Sequence, residues 1–255
     1  MKMKKVIFAA AVTIVCFLSG CAKIEDRTDV GKSSYVPITD SRIDHYYQAV
    51  SADENSSDSD SQPAEVSEKT DRVVLVGDSR IIQLGNAVYG FEIVDDSPVD
   101  EETSDGDHIL GAVGEGYDWL EEHTANIEDK LTDGCALVVN MGINGAPYYH
   151  SEIAEWCNKI AEKYKDRGVK VYFMSVNPVN DRLMTYNGYN IRDVDVICFN
   201  SAIRTELKDV TYLDTYSVVR DDILGEGSGT FDGLHYNKNI YRKIKDYTWK
   251  VIKNE

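Results

Sequence analysis

Positive charge is scarce in this chain: Lys and Arg number 27 against 44 Asp and Glu, a formal net charge of -17 over 255 residues. A surface so acidic disfavours nucleic acid and anionic lipid headgroups, because binding phosphate takes clustered basic side chains. The excess of acid says nothing positive about a substrate. Long apolar runs are missing as well: the N-terminal run Val6 to Leu18 falls short of the roughly 20 residues that span a bilayer as a helix. Cysteine is sparse, five in all, and Cys135, Cys157 and Cys198 lie in different predicted elements with no close metal-ligand spacing. They read as core thiols, an odd number with one disulfide open to them. No internal repeat is visible, which sets aside the repeat architectures.

Lys2, Lys4 and Lys5 precede the apolar run and Leu18-Ser19-Gly20-Cys21 closes it, the basic, apolar, small-residue order of a secretory signal. The closing residues resemble the lipobox of bacterial lipoproteins, which implies cleavage before Cys21 and a lipid-modified Cys21 as membrane anchor. The alternative is an ordinary secretory signal in which Cys21 merely follows small residues. From Ala22 to about Thr70 the composition changes, and the Ser- and Asp-rich stretch 51–63 has almost nothing to bury and repels itself. Residues 1–20 are therefore read as signal peptide and 21–71 as a disordered acidic tether. A short helix fits Ile43 to Val50, with His45 a solvated polar residue. The expected location is the bacterial cell envelope, lipid-anchored and facing outside the cytoplasm.

Residues 72–255 have the size of one domain with a substantial core. Short β-branched runs at Val73 to Val76, Phe91 to Val94, Ala136 to Asn140, Val169 to Val176 and Val210 to Leu213 alternate with helical patterns, which predicts five strands in a parallel sheet. The segment Ser151 to Arg167 puts Ile153, Trp156, Cys157, Ile160 and Ala161 on one stripe, as a helix covering a sheet requires, and Gly168 closes it. In open α/β sheets ligands sit at the carboxyl ends of the strands.

The residues that carry chemistry fall at that edge. Gly77-Asp78-Ser79 ends the first strand and opens a helix, where the Ser79 backbone N–H points toward a developing oxyanion. Alone, the tripeptide is only a turn with a helix cap. The third strand ends in Met141-Gly142-Ile143-Asn144-Gly145, whose Asn144 amide is a neutral donor suited to an oxyanion hole. Between them lies the glycine-rich turn Gly111 to Gly116, entering a helix at Tyr117, where a bare N–H can approach a substrate or the glycines merely allow tight turning. Asp232-Gly233-Leu234-His235 places a carboxylate and an imidazole three residues apart, just ahead of a last helix starting near Asn237. A serine needs such a base within reach and a third group to orient it.

Gly77-Asp78-Ser79, the Gly114 to Gly116 turn, Gly142-Ile143-Asn144 and Asp232-Gly-Leu-His235 resemble, in order, the four blocks of the SGNH (GDSL) hydrolase family. The resemblance covers the whole folded segment. It implies a flavodoxin-like three-layer α/β/α sandwich around a mostly parallel five-stranded sheet. It also implies Ser79 as nucleophile, His235 as base and then acid, Asp232 as orienting carboxylate, and an oxyanion hole of Ser79 N–H, Gly116 N–H and the Asn144 side chain. Gly116 is preferred over Gly114 because it directly precedes the Tyr117 helix. One departure stands out: the family usually has aspartate after its asparagine, and this chain has Gly145.

Arg80, Asn177, Asn180 and Tyr186 are further cleft candidates, Arg80 for an anionic group, the amides and the tyrosine for carbohydrate hydroxyls and rings. Each also has a plain surface or structural reading. His108, His123 and His150 have no acidic partner at a helpful spacing and read as structural. The chemistry needs no metal or cofactor. The expected activity is that of a serine esterase removing ester groups, O-acetyl first, from carbohydrate or cell-envelope glycans. Its rivals are a glycan-binding lipoprotein without catalysis, an O-acyltransferase, and a lipid or thioester hydrolase. A pure binder would have lost a triad residue, and none is lost. The oligomeric state is open.

Overall fold

A computed structural model describes residues 70, 72–93, 97–225 and 229–254. The proposed signal peptide, Cys21, the tether and the Ile43 to Val50 helix lie outside the described residues. Six strands form one sheet in the order β2-β3-β1-β4-β5-β6, comprising β1 (Val73–Gly77), β2 (Val99–Glu102), β3 (His108–Gly111), β4 (Ala136–Asn140), β5 (Lys170–Met174) and β6 (Val210–Leu213). All neighbours are parallel except β2, which runs antiparallel to β3 at the edge.

The expected mostly parallel α/β sheet is present, with six strands in place of five. The difference lies in one segment. Phe91 to Val94 is not the second strand: 91–93 have no regular structure, and Phe91 is apolar because its ring covers Gly85 of the first helix. The parallel neighbour of β1 is instead His108–Gly111.

Alternation along the buried strands sorts their side chains onto two faces. Val74, Val76, Leu137, Val139, Val171 and Phe173 share a core with the helices α2 (Tyr117–Glu122), α3 (Thr124–Lys130), α4 (His150–Tyr164) and α6 (Asp193–Glu206). Val73, Leu75, Ala136, Val138, Tyr172 and Met174 pack against α1 (Ser79–Tyr89), α7 (Thr215–Leu224) and α8 (Lys238–Asn254). A short α5 (Asp181–Tyr186) follows β5. The result is a three-layer α/β/α sandwich. In α4 all five residues of the expected stripe are buried, and Gly168 ends the segment at φ 68, its N–H returning to the Lys165 carbonyl at 2.9 Å.

Register brings the candidate residues to one edge. Gly77 at the end of β1 pairs with Gly111 of β3 on one side and with Asn140 of β4 on the other. Glycine is required there by contact: a Cβ on Gly77 would lie 2.2 Å from the Asn140 carbonyl oxygen. The three following loops, carrying Ser79, the Gly114–Gly116 turn and Asn144, therefore leave the sheet side by side.

Candidate active site

Asp78 caps α1, its carboxylate accepting from the Arg80 backbone N–H at 2.9 Å. Ser79 thereby becomes the first helical residue, where the backbone N–H lacks an intrahelical acceptor. Its Oγ lies 2.9 Å from His235 Nε2, although 156 residues separate the two. His235 Nδ1 in turn lies 2.7 Å from Asp232 Oδ2. The other oxygen of Asp232 accepts from the backbone N–H groups of Leu234 at 2.8 Å and His235 at 2.7 Å. That local turn aims Oδ2 at the imidazole, which is why a three-residue spacing suffices. Burial alone would raise the Asp232 carboxyl, but the bonds from the His235 ring, its N–H and the Leu234 N–H outweigh it and hold the group below the usual aspartate range. Asp232 stays ionised and acceptor-only, so Nδ1 carries the proton and Nε2 is left to accept one from Ser79.

Thr230 and Asn187 hold this turn; Thr230 did not stand out in the sequence, and Asn187 did so only as one amide of the loop 184–190 suited to carbohydrate hydroxyls. Thr230 Oγ1 donates to the His235 carbonyl at 2.6 Å and accepts from the Gly233 N–H at 2.9 Å. The Asn187 amide donates to the Asp232 carbonyl at 2.9 Å. A Thr two residues before the aspartate was the one local signal available.

The Asn144 amide donates to the Glu115 carbonyl at 2.7 Å, which joins the third-block loop to the glycine turn. With Gly145 following it, Asn144 is held by a backbone acceptor and not by a neighbouring side chain. It also bears on Gly116. The Glu115–Gly116 peptide is trans, so its N–H points opposite to its carbonyl, away from Asn144. Gly116 N–H and the Asn144 amide are poorly set to converge on one oxygen. Gly114, at φ 77, is the alternative glycine in this turn.

Burial corrects two of the four substrate-binding expectations, and internal hydrogen bonds engage a third. Arg80 is 2% exposed; its Nε donates to the Leu234 carbonyl at 3.2 Å, its Nη1 to the Asn177 carbonyl at 2.7 Å, and its guanidinium sits 5.2 Å over the Tyr236 ring. It is a strut, not a surface cation. Asn177 is equally buried. Asn180 is spent at both ends, its oxygen capping α5 through Leu183 N–H and its amide donating to the Ile223 carbonyl. Asn180 is half-buried, and Tyr186 is the most open of the four, at 86% exposure.

The other histidines also differ from expectation. His108 Nε2 meets Asp100 at 2.6 Å and His150 Nδ1 meets Glu206 at 3.0 Å, partners delivered by the sheet edge and by helix packing. His123 bonds the Trp119 carbonyl. No serine lies on the far nitrogen of either acid-paired ring among the described contacts. Burial pushes the Asp78 carboxyl up to about 6 against the lowering effect of Arg80, and burial does the same for Asp193, also to about 6. Cys135, Cys157 and Cys198 are free thiols. Among the described residues no group of three or more His, Cys, Asp or Glu could hold a metal ion.

No family model matches the chain, and no curated protein matches it. Solved structures do. A GDSL-like lipase from Bacteroides thetaiotaomicron is 17% identical with a TM-score of 0.53, over 82% of this chain and 97% of its own. An acylhydrolase candidate from Bacteroides fragilis is 16% identical with a TM-score of 0.55, over 74% and 91%. A platelet-activating-factor candidate from Streptococcus pneumonia is 18% identical with a TM-score of 0.55, over 74% and 86%. The chain has the GDSL-like hydrolase fold. Within that fold, Ser79, His235 and Asp232 form a hydrogen-bonded series at the carboxyl edge of the sheet.

Proposed function

We propose that this chain is a serine ester hydrolase that removes O-acyl groups, acetyl first among them, from carbohydrate of the cell envelope or its surroundings. The observation that carries the reading is the continuous pair of hydrogen bonds from Ser79 through His235 to Asp232. In the proposed reaction Ser79 Oγ attacks the ester carbonyl while His235 Nε2 takes its proton. The tetrahedral oxyanion is met by the Ser79 N–H, the second hydrogen of the Asn144 amide and an N–H of the glycine turn, for which Gly114 is the better choice. Collapse breaks the bond to the alcohol oxygen, which receives the proton from His235. Water, deprotonated by the same nitrogen, then attacks the acyl-serine; the bond to Ser79 Oγ breaks, Oγ takes the proton back from His235, and the carboxylic acid leaves and ionises.

The acidic balance of the chain disfavours anionic phospholipid, and the exposed tyrosines suit carbohydrate rings. A GDSL-like lipase and an acylhydrolase candidate sharing the fold are in keeping with ester chemistry. The proposed place of action is outside the cytoplasm, with Cys21 lipid-anchored and 21–71 as the tether.

The test is turnover of vinyl acetate by the purified protein, beside Ser79→Ala and His235→Ala. The variants should lose about a thousandfold or more in kcat. Equal background rates in all three would end the hydrolase reading, and a glycan that still bound would leave the non-catalytic lipoprotein in its place.

A further inference from the structure

Five large apolar side chains are well exposed among the described residues, and two of them touch groups of the candidate site. Phe231, 69% exposed, immediately precedes Asp232, and its ring lies nearly parallel to the His235 imidazole at 6.3 Å and 19°. Tyr149, 47% exposed, stacks on Tyr117 at 6.4 Å and 13°, and Tyr117 is the residue after Gly116. The ring of Tyr149 also covers Gly145, the neighbour of Asn144: a Cβ on Gly145 would lie 2.9 Å from Tyr149 Cδ2. An aspartate at 145, as the resembled family usually has, would displace that ring.

Tyr149 is a poor choice for local folding. It sits at the N-cap of α4 with no side-chain cap bond, and at φ 63, where a bulky residue is an outlier and Asn, Gly or Ser would serve better. Strain of about 1 kcal/mol or more is tolerated there, and the ring gains little burial in return. An aromatic kept exposed at such a cost invites a ligand.

We propose that Tyr149, backed by Tyr117 and admitted by Gly145, and Phe231, lying over His235, are the two faces of a subsite that stacks the sugar rings of an uncharged O-acylated glycan beside Ser79. The proposal rests on the ester-hydrolase reading for the chemistry at Ser79, and it adds what holds the alcohol part of the substrate. Flat rings open to solvent suit the apolar faces of pyranoses, whose hydroxyls remain hydrated, better than an aliphatic acyl chain, which needs an enclosed groove. Charge points the same way. The Tyr117 hydroxyl is bonded to Glu121 at 3.1 Å, so a carboxylate stands at this rim and disfavours phosphate and carboxylate ligands.

The experiment separates binding from turnover. In the full chain carrying Ser79→Ala, the Kd for a partly O-acetylated xylo-oligosaccharide is measured by calorimetry, alone and with Tyr149→Ala, Phe231→Ala, Gly145→Asp or Tyr149→Trp added. Variants are compared only where their melting matches the parent. The two alanine variants and Gly145→Asp should each weaken binding about tenfold, and Tyr149→Trp should retain it. In the active protein, Tyr149→Ala should also cost at least tenfold more on the oligosaccharide than on vinyl acetate. Unchanged Kd in both alanine variants overturns the subsite, as does a loss confined to long-chain acyl esters or to phosphatidylglycerol vesicles. Loss of vinyl acetate turnover in Ser79→Ala with no effect at Tyr149 or Phe231 refutes the subsite and leaves the hydrolase. Glycan binding that needs Tyr149, in a protein that turns over no ester, supports the subsite and refutes the hydrolase.

Discussion

Arg80→Lys distinguishes a strut from a charge. The native guanidinium bridges two segments, the loop after β5 through the Asn177 carbonyl and the loop carrying His235 through the Leu234 carbonyl, beside the Asn180 N–H to Gly233 and Tyr236 hydroxyl to Pro178 carbonyl bonds that also join them. A planar fork can serve both; an ammonium on a flexible stem reaches one. A hydrogen bond to a charged donor is worth about 1.5–3 kcal/mol, and the carbonyl left behind is buried and unpaired. Part of the contact with Tyr236, 5.2 Å from the guanidinium, is lost as well, about 1 kcal/mol of a buried cation–π pair. Arg80 Nη2 is buried with no partner, so its removal costs nothing and offsets a little of the loss. The balance is a destabilisation of about 2–4 kcal/mol, large against the 5–15 kcal/mol typical of a domain. It should appear in urea unfolding as a lower midpoint at unchanged slope. Activity should fall through kcat, by about a hundredfold, because Leu234 adjoins His235 and small displacements of a base are costly. KM for a small neutral ester should hardly move. Native stability together with native kcat would refute the strut, and a rise in KM confined to anionic esters at unchanged stability would make Arg80 a substrate ligand after all.

Asp78→Asn tests the buried carboxyl before the nucleophile. With its folded value raised to about 6 from an ordinary 3.8, folding takes up a proton. The stabilising effect is therefore full below the unfolded value and lost as pH rises through about 6. Asparagine keeps the cap acceptor and removes that loss, so the two proteins should unfold alike at pH 4, with the variant more stable by up to about 3 kcal/mol at pH 8. Asp193, also near 6, falls in the same sense in both proteins and cancels; urea curves that stay parallel from pH 4 to 8 would refute the argument. For the anchor, Cys21→Ser expressed in a bacterial host should move the protein from the membrane to the soluble fraction of the envelope, and unchanged membrane retention would reject lipidation.

What the sequence made legible is what local pattern dictates. The run Val73 to Val76 is apolar on both faces because both faces are covered, and it reads as a strand. The stripe of α4 reads as a helix because its buried positions repeat at helical spacing. β2 could not be read: Val99-Asp-Glu-Glu102 is mostly exposed, and an edge strand guarded by acid has no apolar alternation to betray it. β3 is four residues long, with a histidine at one end and a glycine at the other. Phe91 offered a stronger apolar signal nearby, but it serves the helix, not the sheet. A hydrophobic run says that something must be covered; whether by sheet or by helix is decided by residues far away.

The same division runs through the site. Asp232 and His235 were legible as a pair because one turn of backbone makes their geometry, two N–H groups fixing one oxygen and freeing the other. Ser79 meets His235 only through the fold, and its assignment needed the ordered company of the other blocks. Arg80 was misread because adjacency to a nucleophile looks the same in sequence whether a side chain turns outward to a substrate or inward to two carbonyls. The structural reading of His108 and His150 stands, but their acids, 8 and 56 residues away, could not be seen in the sequence. Gly145 is the instructive case. As a departure from a family pattern it looked like a missing hydrogen bond, yet Asn144 is bonded to the Glu115 carbonyl, and the Tyr149 ring lies against the space a side chain at 145 would take. A missing side chain beside the proposed oxyanion-hole asparagine is therefore better treated as room for another residue than as a defect, and the residue that takes the room is the first place to look for specificity.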